Sequence, residues 1–214
     1  MKKLYIVIWM IIGWVLTGCS FEKPEENIYT ILEDTVQLEN QFKEQQGPIT
    51  ELEKEEGNIY NEVIKLNLNE YEQIVELSEK AFVNIEERRE RLEEEYNSIK
   101  QSQESFGLME EEVDKLENEE IKKKANELMN TMNDRYETYY SLYEEYNKLL
   151  DLDYALYEMF QDKELSLDDL EQQIVQINES QKKIKDYNQQ FNDLTMSYNE
   201  LKNEFYQLAD IDMY

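Results

Sequence analysis

Few side chains in this 214-residue sequence could do covalent chemistry, and their types narrow it at once. There is one cysteine, Cys19, and no histidine, so neither a Ser-His or Cys-His pair nor a His-zinc set can be assembled. Carboxylates are abundant, with 50 Asp and Glu, but an acid–nucleophile pair also needs a cleft and a shifted pKa, which regular solvated helix faces do not supply. Asp151-Leu152-Asp153 and Asp210-Ile211-Asp212 lack the glycine and terminal glutamate of a calcium loop. No glycine-rich phosphate loop occurs. The expectation is a non-catalytic protein with no metal site and no cofactor beyond a covalent lipid.

Cys19 is the exception, because its surroundings give the thiol a use. Lys2 and Lys3 precede an uncharged stretch from Leu4 to Leu16, and small residues lead into the cysteine. That is a positive n-region, an apolar h-region and a cleavage site. The run is well short of the ~20 apolar residues that a membrane-spanning helix needs. The order Leu16-Thr17-Gly18-Cys19 resembles the lipobox of bacterial lipoproteins. That resemblance implies a diacylglyceryl group on Cys19, cleavage before it, and a mature chain held on the extracytoplasmic face of the cell membrane. Residues 1–18 then form the signal peptide, 19–26 a lipidated tether and 27–214 the folded part. The tether from Ser20 to Glu26 reaches at most ~25 Å.

Loss of residues 1–18 removes two of the 22 basic residues and none of the 50 acidic ones, leaving a net charge of −30. Such a surface excludes nucleic acid as a partner and disfavours anionic lipid. High charge with low hydropathy also fits disorder, and periodicity decides against it. Alternating steps of three and four run from Leu68 to Phe106, from Ile121 to Leu149 and from Ile177 to Leu208. Of the 31 positions on these seams 26 are apolar or aromatic, where the 40% hydrophobic composition gives about 12.

The expected fold is all-α: an elongated antiparallel bundle or coiled coil of three long helices plus a short N-terminal helix. Gly47-Pro48 is expected to end the short helix, which starts near Asn27. Residues 163–167 make another turn, with Ser166 capping and Asp169 at N3. The remaining turn falls near Gly107 or near Asn118, and Gly107 is slightly preferred for its fitness as a helix C-cap. A turn there sets Arg135 across from Glu79 and Arg89 across from Ala125, both arginines being seam positions.

Tyrosine is unusually frequent, with 16 copies. Tyr136, Tyr140 and Tyr143 make an i, i+4, i+7 stripe beside the second seam. It either widens the packing face or, if exposed, offers a platform for stacking on sugar rings.

The sequence as a whole resembles the YkyA-like cell-wall-binding lipoproteins of Gram-positive bacilli. The stretches that carry the resemblance are the lipobox, Pro24-Glu25-Glu26-Asn27-Ile28-Tyr29, Glu51-Leu52-Glu53-Lys54-Glu55, Asp134-Arg135-Tyr136 and Leu167-Asp168-Asp169-Leu170. It implies a surface lipoprotein whose partner is the cell wall, and it carries over no binding residue. Anionic wall polymers would repel a chain at −30 unless cations bridge them, so wall binding would fall to neutral glycan or peptide contacts, the tyrosine stripe among them. The alternatives are a spacer or adaptor for another envelope protein, or a regulator of peptidoglycan-active enzymes.

Overall fold

The computed structural model describes residues 23–211, and the expected signal peptide, with the expected lipidation site Cys19 and the lipobox residues Leu16, Thr17 and Gly18, lies outside them. The described chain is all-α, with no strand. Its helices are α1 (Pro24–Leu38), α2 (Asn40–Val63), α3 (Tyr71–Phe106), α4 (Met109–Lys115), α5 (Glu119–Phe160) and α6 (Leu167–Leu208). Consecutive long helices run antiparallel in the spatial order α2, α3, α5, α6, with α1 laid over α3 and α4. At 1.5 Å per residue the 42-residue α5 and α6 are each about 63 Å long.

The N-terminal part departs from expectation. In place of a short helix ending at Gly47-Pro48, α1 and α2 together cover residues 24–63, and Pro48 sits inside α2. The buried face of α2, formed by Gln45, Ile49, Ile59 and Val63, runs through the proline. Burial along that face outweighs the lost backbone donor. The chain breaks instead at Glu39, where Ser98 of α3 bridges the gap. Its Oγ donates to the Leu38 carbonyl at 2.6 Å and accepts from the Phe42 amide at 3.1 Å. Two backbone groups orphaned by the break are thereby satisfied. The α2–α3 turn is at 64–67, where Asn67 Oδ1 accepts from the Asn69 amide and the Asn67 amide donates to Glu70.

The other uncertain turn lies at Asn118, not Gly107. Gly107 has φ −57° and ψ −24°, ordinary right-handed helix, and the chain continues into α4. Asn118 Oδ1 caps α5, accepting from the Glu120 and Ile121 amides at 2.9 and 3.3 Å. The register follows. Arg135 meets Glu39 rather than Glu79, and Arg89 meets Asn147 and Asp151 rather than Ala125. Ser166 caps α6 through the Asp169 amide as expected.

These turns place Pro24, the Asn118 turn and the end of α6 at one end of the bundle, where Asn27 donates to Glu112 at 3.0 Å. The 64–67 and 161–166 turns share the far end, where the Tyr71 hydroxyl donates to the Gln161 carbonyl at 2.9 Å. One apolar cluster around Ile28, Phe106, Met132 and Phe205 fills the near half. A second, around Ile49, Ala81, Leu150 and Ile184, fills the far half.

Candidate functional site

The far half of the bundle carries polar groups where apolar ones would ordinarily lie. On α3 one covered row is Ile74, Ala81, Arg88, Glu95 and Ser102, at heptad spacing beside the covered row Ser78, Ile85, Leu92, Ile99 and Phe106. On α5 it is Ala125, Met132, Tyr139, Tyr146 and Asp153, at the same spacing. These rows turn inward because α3 and α5 are the middle helices and bury surface against neighbours on two sides.

Arg88 and Asp153 form an ion pair at 3.1 Å, with side chains only 3% and 7% exposed. From α2, Glu53 and Glu56 lie three residues apart on one helix face. The Tyr146 hydroxyl donates to Glu53 at 2.7 Å and the Tyr157 hydroxyl donates to Glu56 at 2.6 Å. Two turns away Glu95 accepts from the side-chain amide of Gln46.

Between α2 and α6 the seam is bridged by side chains rather than by close backbone approach, and it opens onto this polar set. A cavity of about 260 Å³ is lined by Glu53, Glu56, Arg88, Tyr146, Leu149, Asp153, Gln181 and Ile184. A smaller one of about 130 Å³ adjoins it through Glu53 and Tyr146 and reaches Gln46, Glu95, Tyr139 and Asn188.

Burial controls the ionisation of this cleft. It pushes Asp153 up to about 7, with Glu56 adding repulsion and Arg88 opposing. It pushes Glu95 up to about 8, with the Gln46 hydrogen bond opposing and the charge of Glu53 reinforcing. Desolvation likewise raises the Tyr146 phenol, so its proton stays in place to hold Glu53. The arrangement can hold protons near neutrality.

The tyrosine stripe is not one exposed surface. Tyr136 is fully buried and bonded to Ser102 at 2.7 Å. Tyr140 and Tyr143 are half-buried against Tyr96, with ring centroids 5.8 and 4.5 Å away, and donate to Gln103 and Glu93. The cleft residues Arg88, Glu95 and Asp153 were not visible to apolar counting. The available signal was the heptad spacing of 74, 81, 88, 95 and 102 beside the neighbouring apolar run.

With the geometry in place, comparison with known proteins gives the family. A family model named YkyA, described as "Putative cell-wall binding lipoprotein", matches residues 23–208. The chain belongs to the YkyA family of lipoproteins. The uncharacterized lipoprotein YkyA of Bacillus subtilis (strain 168) is 38% identical over 164 residues, which are 77% of this chain and 74% of that protein. A crystal structure of a conserved protein of unknown function from Staphylococcus aureus superposes with a TM-score of 0.58. It covers 88% of this chain and 91% of the other at 16% identity, a likeness of fold alone. The family's description is that of a lipoprotein of the cell envelope. No helix among the described residues is long and apolar enough to cross a membrane.

Proposed function

We propose that this YkyA-family chain is a lipid-anchored, extracytoplasmic binding protein that engages a cell-wall component without turning it over. The observation that carries the reading is the preformed polar cleft between α2 and α6 in the half of the bundle remote from Pro24. A concave site with a few converging polar groups and shifted acids is the form a binding site takes. Its position suits a tethered protein. The lipid on Cys19 would hold the near end at the membrane, and the bundle would carry the cleft outward.

The test is retention of the full chain, in detergent, on purified peptidoglycan with and without magnesium. Retention supports the reading, and none under either condition removes it. The anchor is tested separately by Cys19→Ser, which should abolish labelling by a fatty-acid analogue. Labelling that persists would refute lipidation at that thiol.

A second reading, an adaptor for another envelope protein, is favoured by one surface feature. Val83 is 70% exposed beside the stacked pair Phe82 and Tyr154, whose centroids are 4.4 Å apart. Glu86, Glu90 and Glu94 rim the same groove. A photo-cross-linker at position 83 that captures one defined envelope protein in cells supports this reading, and capture of none counts against it.

A further inference from the structure

The cleft holds more negative charge than its own residues neutralise. Its charged lining consists of Glu53 and Glu56 from α2, Asp153 from α5 and one cation, Arg88, from α3. The α6 side contributes Gln181 and Ile184, which carry no charge. Arg88 is engaged by Asp153. Among the described residues Glu53 and Glu56 each accept a tyrosine hydroxyl and make no ion pair. A carboxylate has about four acceptor sites, so both keep unused capacity at the cavity.

The chemistry of a ligand follows by comparison. An anion would meet three carboxylates against a single guanidinium, one arm of which already donates to Asp153. No three acidic side chains among the described residues converge closely enough to hold a metal ion. A primary ammonium is a compact charge with three donors, and helix positions three apart set their Cβ atoms about 5–6 Å from each other. One ammonium can therefore bridge two such carboxylates. Leu149 and Ile184 give the same cavity apolar wall for an alkyl arm. Its volume of about 260 Å³ equals roughly nine waters at ~30 Å³ each, room for a chain of several carbons.

We propose that the α2–α6 cleft receives a primary ammonium group on a slender alkyl arm, seated between Glu53 and Glu56. This deepens the wall-binding reading and rests on it only for the source of the amine. Wall peptides bearing free amino groups are one source, and a lysine of an envelope protein is the other. A cationic group on the wall would also give a chain at −30 a means of binding against anionic polymers.

The experiment titrates the full chain in detergent with 1,5-diaminopentane by calorimetry, then repeats it with native or amine-acetylated peptidoglycan as competitor. Saturable binding is expected, weakened at least about tenfold by Glu53→Gln or Glu56→Gln, since one lost charge contact is worth about that factor. Glu171→Gln, on the exposed part of α6, should leave it unchanged. Glu53 is itself exposed, so its variant decides the matter if the Glu56 variant fails to fold. Absent binding, or binding equally strong in the two cleft variants, overturns the proposal. Competition by native but not acetylated peptidoglycan supports it and assigns the amine to the wall. Diaminopentane binding with no competition supports the ammonium site and overturns the wall as its source. Retention on peptidoglycan without diaminopentane binding keeps the wall reading and overturns this inference.

Discussion

Arg135 closes on Glu39 along two parallel arms, Nη1 to Oε1 at 2.7 Å and Nη2 to Oε2 at 2.8 Å, across 96 positions of sequence. Both side chains are buried, and neither is left with this contact alone. Ser102 of α3 donates to Glu39 at 3.0 Å, Arg135 Nε donates to Thr195 of α6 at 2.8 Å, and the guanidinium lies 4.3 Å from the Phe191 ring centre. The pair thus joins the α1–α2 break, α3, α5 and α6 at one level.

Glu39→Gln should leave a buried guanidinium uncompensated and cost about 3–5 kcal/mol of stability. Replacing the whole pair, as Glu39→Leu with Arg135→Met, should cost less than that single change. Urea unfolding of the three proteins checks both statements. A loss below about 1 kcal/mol for Glu39→Gln would show that the pair does not pin the break.

Gly107→Ala and Asn118→Ala should shift stability in opposite directions. Gly107 is right-handed, and an added Cβ would meet only the Gln103 and Glu104 carbonyls, at an ordinary 3.5 Å. Alanine there should stabilise by about 0.5–1 kcal/mol. Asn118 caps α5 through its side chain, and alanine should cost about 1 kcal/mol. Thermal melts that reverse these signs would return the turn to Gly107.

Helix existence was legible because periodicity needs only local sequence. The seam from Ile121 to Leu149 is covered almost throughout, and the Ser166 cap is where its motif puts it. What failed depended on residues far away in sequence. No glycine or proline marks the break at Glu39, which Ser98 and Arg135 hold from across the bundle. Gly47-Pro48 is a strong breaker that a continuous buried face overrides. On α3, counting apolar residues selected Arg89 at a seam position. The enclosed residue is its neighbour Arg88, because one inward row changes from apolar at Ile74 and Ala81 to polar at Arg88, Glu95 and Ser102. The cleft was hidden for the same reason: its residues look like surface in one dimension.

Pro48→Ala should stabilise the bundle. Inside α2 the proline offers no amide to the preceding turn and crowds the carbonyl four residues back, a cost of about 3 kcal/mol relative to alanine in a regular helix. Relaxation of α2 around it should leave a measurable gain of about 1–3 kcal/mol. Slower amide exchange across residues 44–52 would locate the effect. A destabilised variant would mean that the backbone geometry imposed by the proline is needed for packing.

Stability should fall as pH rises from weakly acidic to weakly basic. Glu95 and Asp153 ionise at about 8 and about 7 in the fold, against ordinary values of 4.5 and 3.8. Between those limits the folded chain holds protons that the unfolded chain has released. Each group therefore contributes a slope of up to about −1.4 kcal/mol per pH unit, which flattens above its folded value. Glu33 acts oppositely. Burial would raise it, but hydrogen bonding from Tyr206 and the charge of Lys202 prevail and hold it low, so its contribution is lost only as pH falls below about 4.5. Repulsion among the surface carboxylates also grows with pH, but added salt screens it while the covered groups are screened much less. Glu95→Gln separates the two, because a glutamine carbonyl still accepts from Gln46 and no longer titrates. Urea midpoints in high salt at about pH 5, 6.5 and 8 should decline in the parent chain and much less in the variant, which should be the more stable of the two at about pH 8. An equal decline in both proteins would show that Glu95 does not carry the pH dependence.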